Sequence, residues 1–68
     1  MSVLNQDHTT LQTKSSRGHS YELVEIPDYV KNSWTSGCDY TYYIVEDGRK
    51  SVWYGNDRSA ALSKMRSL

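Results

Sequence analysis

The chain has 68 residues, of which 37% are hydrophobic, and its eight acidic and eight basic side chains cancel at neutral pH. A chain of this length forms one domain whose small core is only marginally stable. The single cysteine, Cys38, excludes an intramolecular disulfide and a cysteine-based zinc site. No apolar run approaches the roughly 20 residues of a membrane-spanning helix. These limits predict an intracellular, cytoplasmic protein with no membrane partner.

The first 18 residues are mostly Ser, Thr, Gln, Asn, Asp and His, with few aliphatic side chains and no apolar period. Segments of this composition bury too little apolar surface to become ordered. We therefore expect residues 1–18 to be a flexible tail and residues 19–68 to form a single domain.

Residues 19–26 alternate between two faces, with Tyr21 and Leu23 on the same side, which predicts the first strand. Pro27 ends this strand because it has no N–H to donate to a neighbouring strand. In the connection that follows, residues 28–37, a single helical turn and a short extra strand fit the spacing of the apolar residues equally well.

A β-hairpin is predicted for residues 40–54. Residues 40–45 are aromatic or β-branched, a composition typical of strands. Asp47 and Gly48 readily adopt the positive φ angles of a two-residue turn, and residues 50–54 form the returning strand.

A short helix is predicted to follow the hairpin. Gly55 ends the second hairpin strand, and Asn56 and Asp57 are candidate caps for a helix that begins at Arg58. The apolar side chains of this helix form a single stripe. The predicted fold is therefore α+β: a small three-stranded antiparallel meander with one C-terminal helix packed on one face.

The short helix can cover only one face of so narrow a sheet. With a two-residue turn, Tyr42 pairs with Trp53 on one face and Tyr43 pairs with Val52 on the other. We expect the helix to cover the face of Tyr43, because valines give it the more even surface. An exposed aromatic patch usually marks a binding surface. The predicted partner-binding residues are Tyr40, Tyr42, Trp53 and Trp34.

Charge is divided unevenly along the chain. Residues 19–47 carry six acids and one base, whereas residues 48–68 carry five bases and one acid. Arg58 in the first helical turn opposes the helix dipole. It either grips a phosphate or carboxylate or stacks on a neighbouring aromatic ring. Arg49, Lys50 and Arg58 are the candidate contacts to nucleic acid or to another anion.

No enzyme constellation is found in the sequence. His8 and His19 lack the spacing of a metal-binding pair, and no serine lies in a Gly-x-Ser-x-Gly motif. Glu46 and Asp47 are interpreted as ordinary carboxylates of a hairpin turn. We expect no catalytic residue, no metal and no cofactor, and hence no enzyme.

Three stretches within residues 40–66 carry a family resemblance: YTYYIV at 40–45, DGRK at 47–50 and GNDRSAA at 55–61. Together they resemble the arm-type DNA-binding domains of phage tyrosine integrases. The resemblance implies a three-stranded sheet that enters the major groove, with Arg49, Lys50 and Arg58 on the DNA. Because phosphate neutralisation dominates affinity for DNA and this chain is neutral, DNA is the alternative partner.

The sequence favours a non-enzymatic protein that binds a macromolecule, most simply another protein, through an aromatic sheet face. In size and surface it is similar in style to small inhibitor or adaptor proteins encoded by phages and mobile elements, anti-CRISPR proteins among them. Such a protein acts in an infected host cell. A homodimer that covers the open face is a further alternative.

Overall fold

The computed structural model describes residues 3–33 and 37–68. Within these ranges, four strands form one antiparallel sheet in the order β1-β2-β3-β4. The elements are a 3₁₀ turn Val3–Asn5, β1 Thr9–Ser16, β2 His19–Glu25, α1 Asp28–Lys31, β3 Tyr42–Glu46, β4 Lys50–Gly55 and α2 Arg58–Ser67. None of the described helices is long and apolar enough to cross a membrane.

The α+β class and the C-terminal helix agree with the prediction, but the sheet has four strands rather than three. The additional strand is β1, which lies in the segment that we expected to be a flexible tail. Arg17 and Gly18 both adopt positive φ angles and make the tight turn into β2. The sequence did not predict this strand because its side chains are mostly exposed, so apolar residues do not recur at a regular spacing. The strand forms through backbone pairing with β2.

Residues 1–18, which were predicted to be a tail, also form hydrogen bonds with the end of the C-terminal helix. The Lys14 ammonium donates hydrogen bonds to the carbonyl oxygens of Met65, at 2.8 Å, and Arg66, at 3.2 Å. The Ser16 hydroxyl donates to the carbonyl oxygen of Leu68 at 3.0 Å. The last carbonyls of a helix lack partners within the helix, so a cation at this end stabilises it.

Both faces of the sheet are covered. On the first, which we call the helix face, α2 buries Ala61 and Met65 against β2 and β3. The buried sheet residues of this face are Tyr21, Leu23, Tyr42 and Ile44. The second, which we call the loop face, is covered by α1, by residues 37–40 and by the 3₁₀ turn. Its buried residues are Val24, Ile26, Val30, Cys38, Tyr43 and Val45.

The helix therefore covers the face opposite to the one predicted. The connection between β2 and β3 already places Val30 and Cys38 on the loop face, which leaves the face of Tyr42 and Ile44 for α2. The expectation that Tyr42 would remain uncovered is wrong.

The register of the hairpin also differs from the prediction. Asp47 and Gly48 have the expected positive φ angles, but the loop has three residues and Glu46 pairs with Lys50. The register then shifts between Ile44 and Val45, and Ile44 pairs with Trp53. The two one-residue shifts together amount to two residues, which restores the predicted alternation of faces. Tyr42 and Trp53 therefore share a face as predicted, although Tyr42 pairs with Gly55.

Of the two residues predicted to cap α2, Asp57 is confirmed and Asn56 is not. The Asp57 carboxylate accepts hydrogen bonds from the N–H groups of Ser59, at 2.9 Å, and Ala60, at 3.4 Å, and so caps α2 as predicted. Asn56 does not cap the helix, because its side-chain oxygen accepts from the N–H of Thr41 at 3.0 Å.

We predict that Lys14→Ala lowers the free energy of unfolding by about 1–2 kcal/mol, because the last turn of α2 loses a charged donor. For a domain of this size, 1 kcal/mol corresponds to a fall of about 4–8 °C in Tm. The measurement is thermal unfolding followed by circular dichroism. Gln12→Ala, an exposed position on the same strand, is the control. Equal melting temperatures for the two variants would contradict the role given to Lys14.

Candidate functional site

The sheet separates the residues that were predicted to bind a partner. Tyr42 is only 9% exposed, and Trp53 is half-buried beside it on the helix face. Tyr40 is half-buried on the loop face. Trp34 lies outside the described residues. The predicted single aromatic face is therefore not formed by Tyr40, Tyr42 and Trp53.

Trp53 has a structural role that the sequence does not reveal. A Cβ atom placed on Gly55 would lie 2.9 Å from Cη2 of the Trp53 ring, so the indole passes directly over the glycine. A glycine in a strand commonly marks such a close approach. The indole also packs against the buried cluster beneath α2. Trp53 thus supports the core rather than an exposed surface.

Three tyrosine rings meet on the loop face beside β4, and we call Tyr40, Tyr43 and Tyr54 the tyrosine surface. The Tyr40 and Tyr54 ring centroids are 4.5 Å apart, and each lies 6.2 Å from that of Tyr43. These separations are in the range of attractive aromatic pairs. Tyr43 is only 8% exposed, whereas Tyr54 is 54% exposed. The surface therefore joins an exposed ring to the core.

The backbone beneath Tyr40 is held in place. The Tyr43 hydroxyl oxygen accepts hydrogen bonds from the N–H groups of Asp39, at 3.0 Å, and Tyr40, at 3.2 Å. Burial raises the pKa of the Tyr43 phenol, although the two backbone donors act in the opposite direction. The next residue, Thr41, is bound by Asn56. The stacked rings of Tyr40 and Tyr54 are thus preorganised.

The predicted anion contacts do not form one patch. Arg49 lies in the β3–β4 loop and Lys50 begins β4, and both are exposed. The Lys50 ammonium is 3.8 Å from a carboxylate oxygen of Glu46. Arg58 begins α2, beyond the other end of β4. β4 therefore separates Arg49 and Lys50 from Arg58.

A second group, the hairpin-tip cluster of His19, Glu46 and Asp47, joins the β1–β2 and β3–β4 turns. One Asp47 oxygen accepts from the N–H of Ser20 at 2.9 Å, and the other lies 2.8 Å from Nδ1 of His19. The Tyr21 hydroxyl donates to Glu46 at 3.2 Å. The interpretation of Glu46 and Asp47 as ordinary turn carboxylates missed these contacts, because His19 and Asp47 are 28 positions apart in the sequence.

Hydrogen bonds shift the ionisation of this cluster. The Ser20 N–H and the His19 ring lower the pKa of Asp47. The bond to Asp47 and the charge of Glu46 raise the pKa of His19. The three side chains also offer ligand atoms within 4.8 Å of one another, a set of donors that suits Zn²⁺. The hydrogen bonds are sufficient to explain their arrangement, so we interpret the cluster as a latch between two turns.

The latch predicts a specific dependence of stability on pH. Because the folded pKa of His19 is raised, its contribution is complete below the unfolded value of about 6.5 and disappears as pH rises through the folded value. Because the folded pKa of Asp47 is lowered, its contribution is present above about pH 4 and disappears as pH falls further. His19→Gln should therefore lower Tm most at about pH 5–6, below the unfolded pKa of His19, and progressively less as pH rises through its folded pKa. His8→Gln is the control, and a pH profile shared by the two variants would contradict the latch.

We predict that Tyr43→Phe lowers the free energy of unfolding by about 1–3 kcal/mol, because two backbone N–H groups lose their acceptor. Amide exchange at Asp39 and Tyr40 should also accelerate. Urea unfolding and hydrogen exchange provide the measurements. Tyr21→Phe removes a hydroxyl that donates to a side chain rather than accepting from the backbone, and serves as the control. Unchanged exchange at Tyr40 would show that the Tyr43 hydroxyl does not position it.

Comparison of this chain with protein-family models, with curated proteins and with solved structures finds no match. The resemblance of residues 40–66 to the arm-type domains of phage integrases therefore stays a prediction.

Proposed function

We propose that this chain is a non-enzymatic binding module that docks on a protein partner through the tyrosine surface, as a small inhibitor or adaptor does. The observation that carries the proposal is the exposed Tyr54 ring, whose centroid lies 4.5 Å from that of Tyr40 with the two rings tilted by 36°. This assignment keeps Tyr40 from the sequence prediction and replaces Tyr42 and Trp53 with Tyr54.

Tyrosine is well suited to this role. It presents a large amphipathic ring with only two side-chain torsions, and it is enriched in protein interfaces and at their energetic centres. Side chains that are immobilised on binding lose entropy, which weakens the complex. The stacking of Tyr54 and the hydrogen bonds beneath Tyr40 reduce that loss, because both rings are already restrained in the free protein.

The same geometry supports a protein partner over DNA. A sheet that enters the major groove needs an open face, and the central strands β2 and β3 are covered on both faces. Affinity for DNA rests largely on phosphate contacts. Arg49 and Lys50 are separated from Arg58 by the length of β4, and the chain carries no net charge.

The test compares Tyr54→Ala with Tyr29→Ala as baits in nuclease-treated extract of the cells in which the protein acts. Tyr29 is the matched control because it is 67% exposed and donates its hydroxyl proton to Asp7, whereas the Tyr54 ring packs on Tyr40. Tyr54→Ala should lose the partner, with affinity reduced about thirtyfold or more. Tyr29→Ala should keep it.

Both variants should remain folded, because neither ring lies in the core. Removing the stack on Tyr40 should lower the free energy of unfolding by no more than about 1.5 kcal/mol. Equal loss of the partner in the two variants, or a bound component that nuclease removes, would overturn the proposed function.

A further inference from the structure

β4 lies at the edge of the sheet, and no described residue pairs with its outer side. An edge strand presents unpaired backbone N–H and C=O groups, so the shape that matches it is another extended strand. The opposite edge, β1, is engaged through Lys14 and Ser16 with the end of α2. β4 instead carries the exposed Tyr54 ring.

Charge at the start of β4 indicates what kind of segment fits. Arg49 and Lys50 are adjacent and exposed, and the carboxylate of Glu46 lies 3.8 Å from Lys50. Asp47, the acid nearest in sequence to Arg49, already binds the Ser20 N–H and the His19 ring. Asp57, beyond the other end of the strand, is already bonded to the first amides of α2. A segment with carboxylates opposite Arg49 and Lys50 would therefore be drawn to this edge.

We propose, on the basis of the proposed function, that the partner contributes an extended acidic segment that adds a fifth strand along β4. Its carboxylates face Arg49 and Lys50, and one of its side chains packs on Tyr54. The six residues of β4 span about 20 Å, so the segment has about four to six residues.

A second copy of the chain fits this edge less well. In an antiparallel pair of β4 strands, Lys50 of one copy lies opposite the Gly55 end of the other copy. Arg58 begins α2 shortly after that end. In a parallel pair, Lys50 lies beside Lys50. Like charges directly opposite each other on neighbouring strands are destabilising, which disfavours the parallel pair. The antiparallel pair offers Arg49 and Lys50 only Asp57, which already caps α2, so an acidic segment from another protein is favoured.

The irregularity in β4 limits the length of the added strand. The register shifts between Ile44 and Val45, which leaves Val52 without a partner on β3. Such a bulge bends its strand and discourages long, flat pairing at an edge. A short segment therefore pairs most regularly with Trp53 to Gly55 beside Tyr54, and its carboxylates extend past the bulge at Val52 to reach Lys50 and Arg49.

The test titrates the full chain with capped hexapeptides and follows its backbone amides by NMR. The probe alternates glutamate and valine. A second peptide replaces glutamate with lysine, and a third carries N-methyl groups that remove its edge donors. The glutamate peptide should shift the amides of β4 at millimolar concentration, and the other two should not. Shifts confined to β1, no shifts in β4, or equal binding of all three peptides would overturn the proposal.

A pair of double variants isolates the contribution of charge. Arg49→Gln with Lys50→Gln should weaken binding of the glutamate peptide about tenfold. Lys64→Gln with Arg66→Gln removes the same charge from α2 and should leave binding unchanged, whereas equal effects would contradict the site. If the peptides fail at β4 while Tyr54→Ala still loses its natural partner, the proposed function stands and the added strand is wrong. A dimer in sedimentation, together with shifts of the β4 amides that depend on protein concentration, would also overturn the acidic segment.

Discussion

The pairing of β2 with β3 is the constraint on which the rest of the structure depends. Leu23 and Val24 on one strand, and Ile44 and Val45 on the other, are each at most 1% exposed, and they point alternately to opposite faces. A strand pair that is apolar on both sides needs cover on both sides. In so short a chain, α2 supplies one cover, and α1 with its neighbouring segments supplies the other. Most of the large apolar side chains are therefore buried.

This constraint moves recognition from the faces of the sheet to its edge. Once both faces are covered, Tyr54 on β4 and Tyr29 on α1 are the large hydrophobic side chains that stay exposed among the described residues. Tyr29 extends toward Asp7, whereas Tyr54 joins a cluster that reaches the core through Tyr43. The Tyr43 ring is buried, and its hydroxyl holds the backbone of Tyr40. One side chain thus connects the stability of the loop face to the shape of the proposed binding surface.

Features governed by neighbouring residues could be predicted from the sequence, and features governed by distant contacts could not. The positive φ angles of Asp47 and Gly48 and the cap at Asp57 depend on local chemistry. The strand β1 forms because its backbone meets β2, a pairing that leaves no apolar pattern. The hairpin register depends on how Ile44 and Trp53 pack beneath α2. The choice of face for α2 follows from the earlier placement of Val30 and Cys38. The stacked tyrosines depend on this same tertiary packing.

The contacts that were hardest to foresee also make the proposed binding edge rigid. Lys14 ties β1 to the end of α2, and the bond between His19 and Asp47 ties the β1–β2 turn to the β3–β4 turn. The second of these contacts holds the loop from which β4 begins, next to Arg49. At the other end of the strand, Asn56 binds Thr41 beside the stacked rings. β4 is therefore held at both ends, while no residue in 3–33 or 37–68 pairs with its outer side. An edge already ordered in this way loses little further entropy when a strand is added, which favours binding of a short segment.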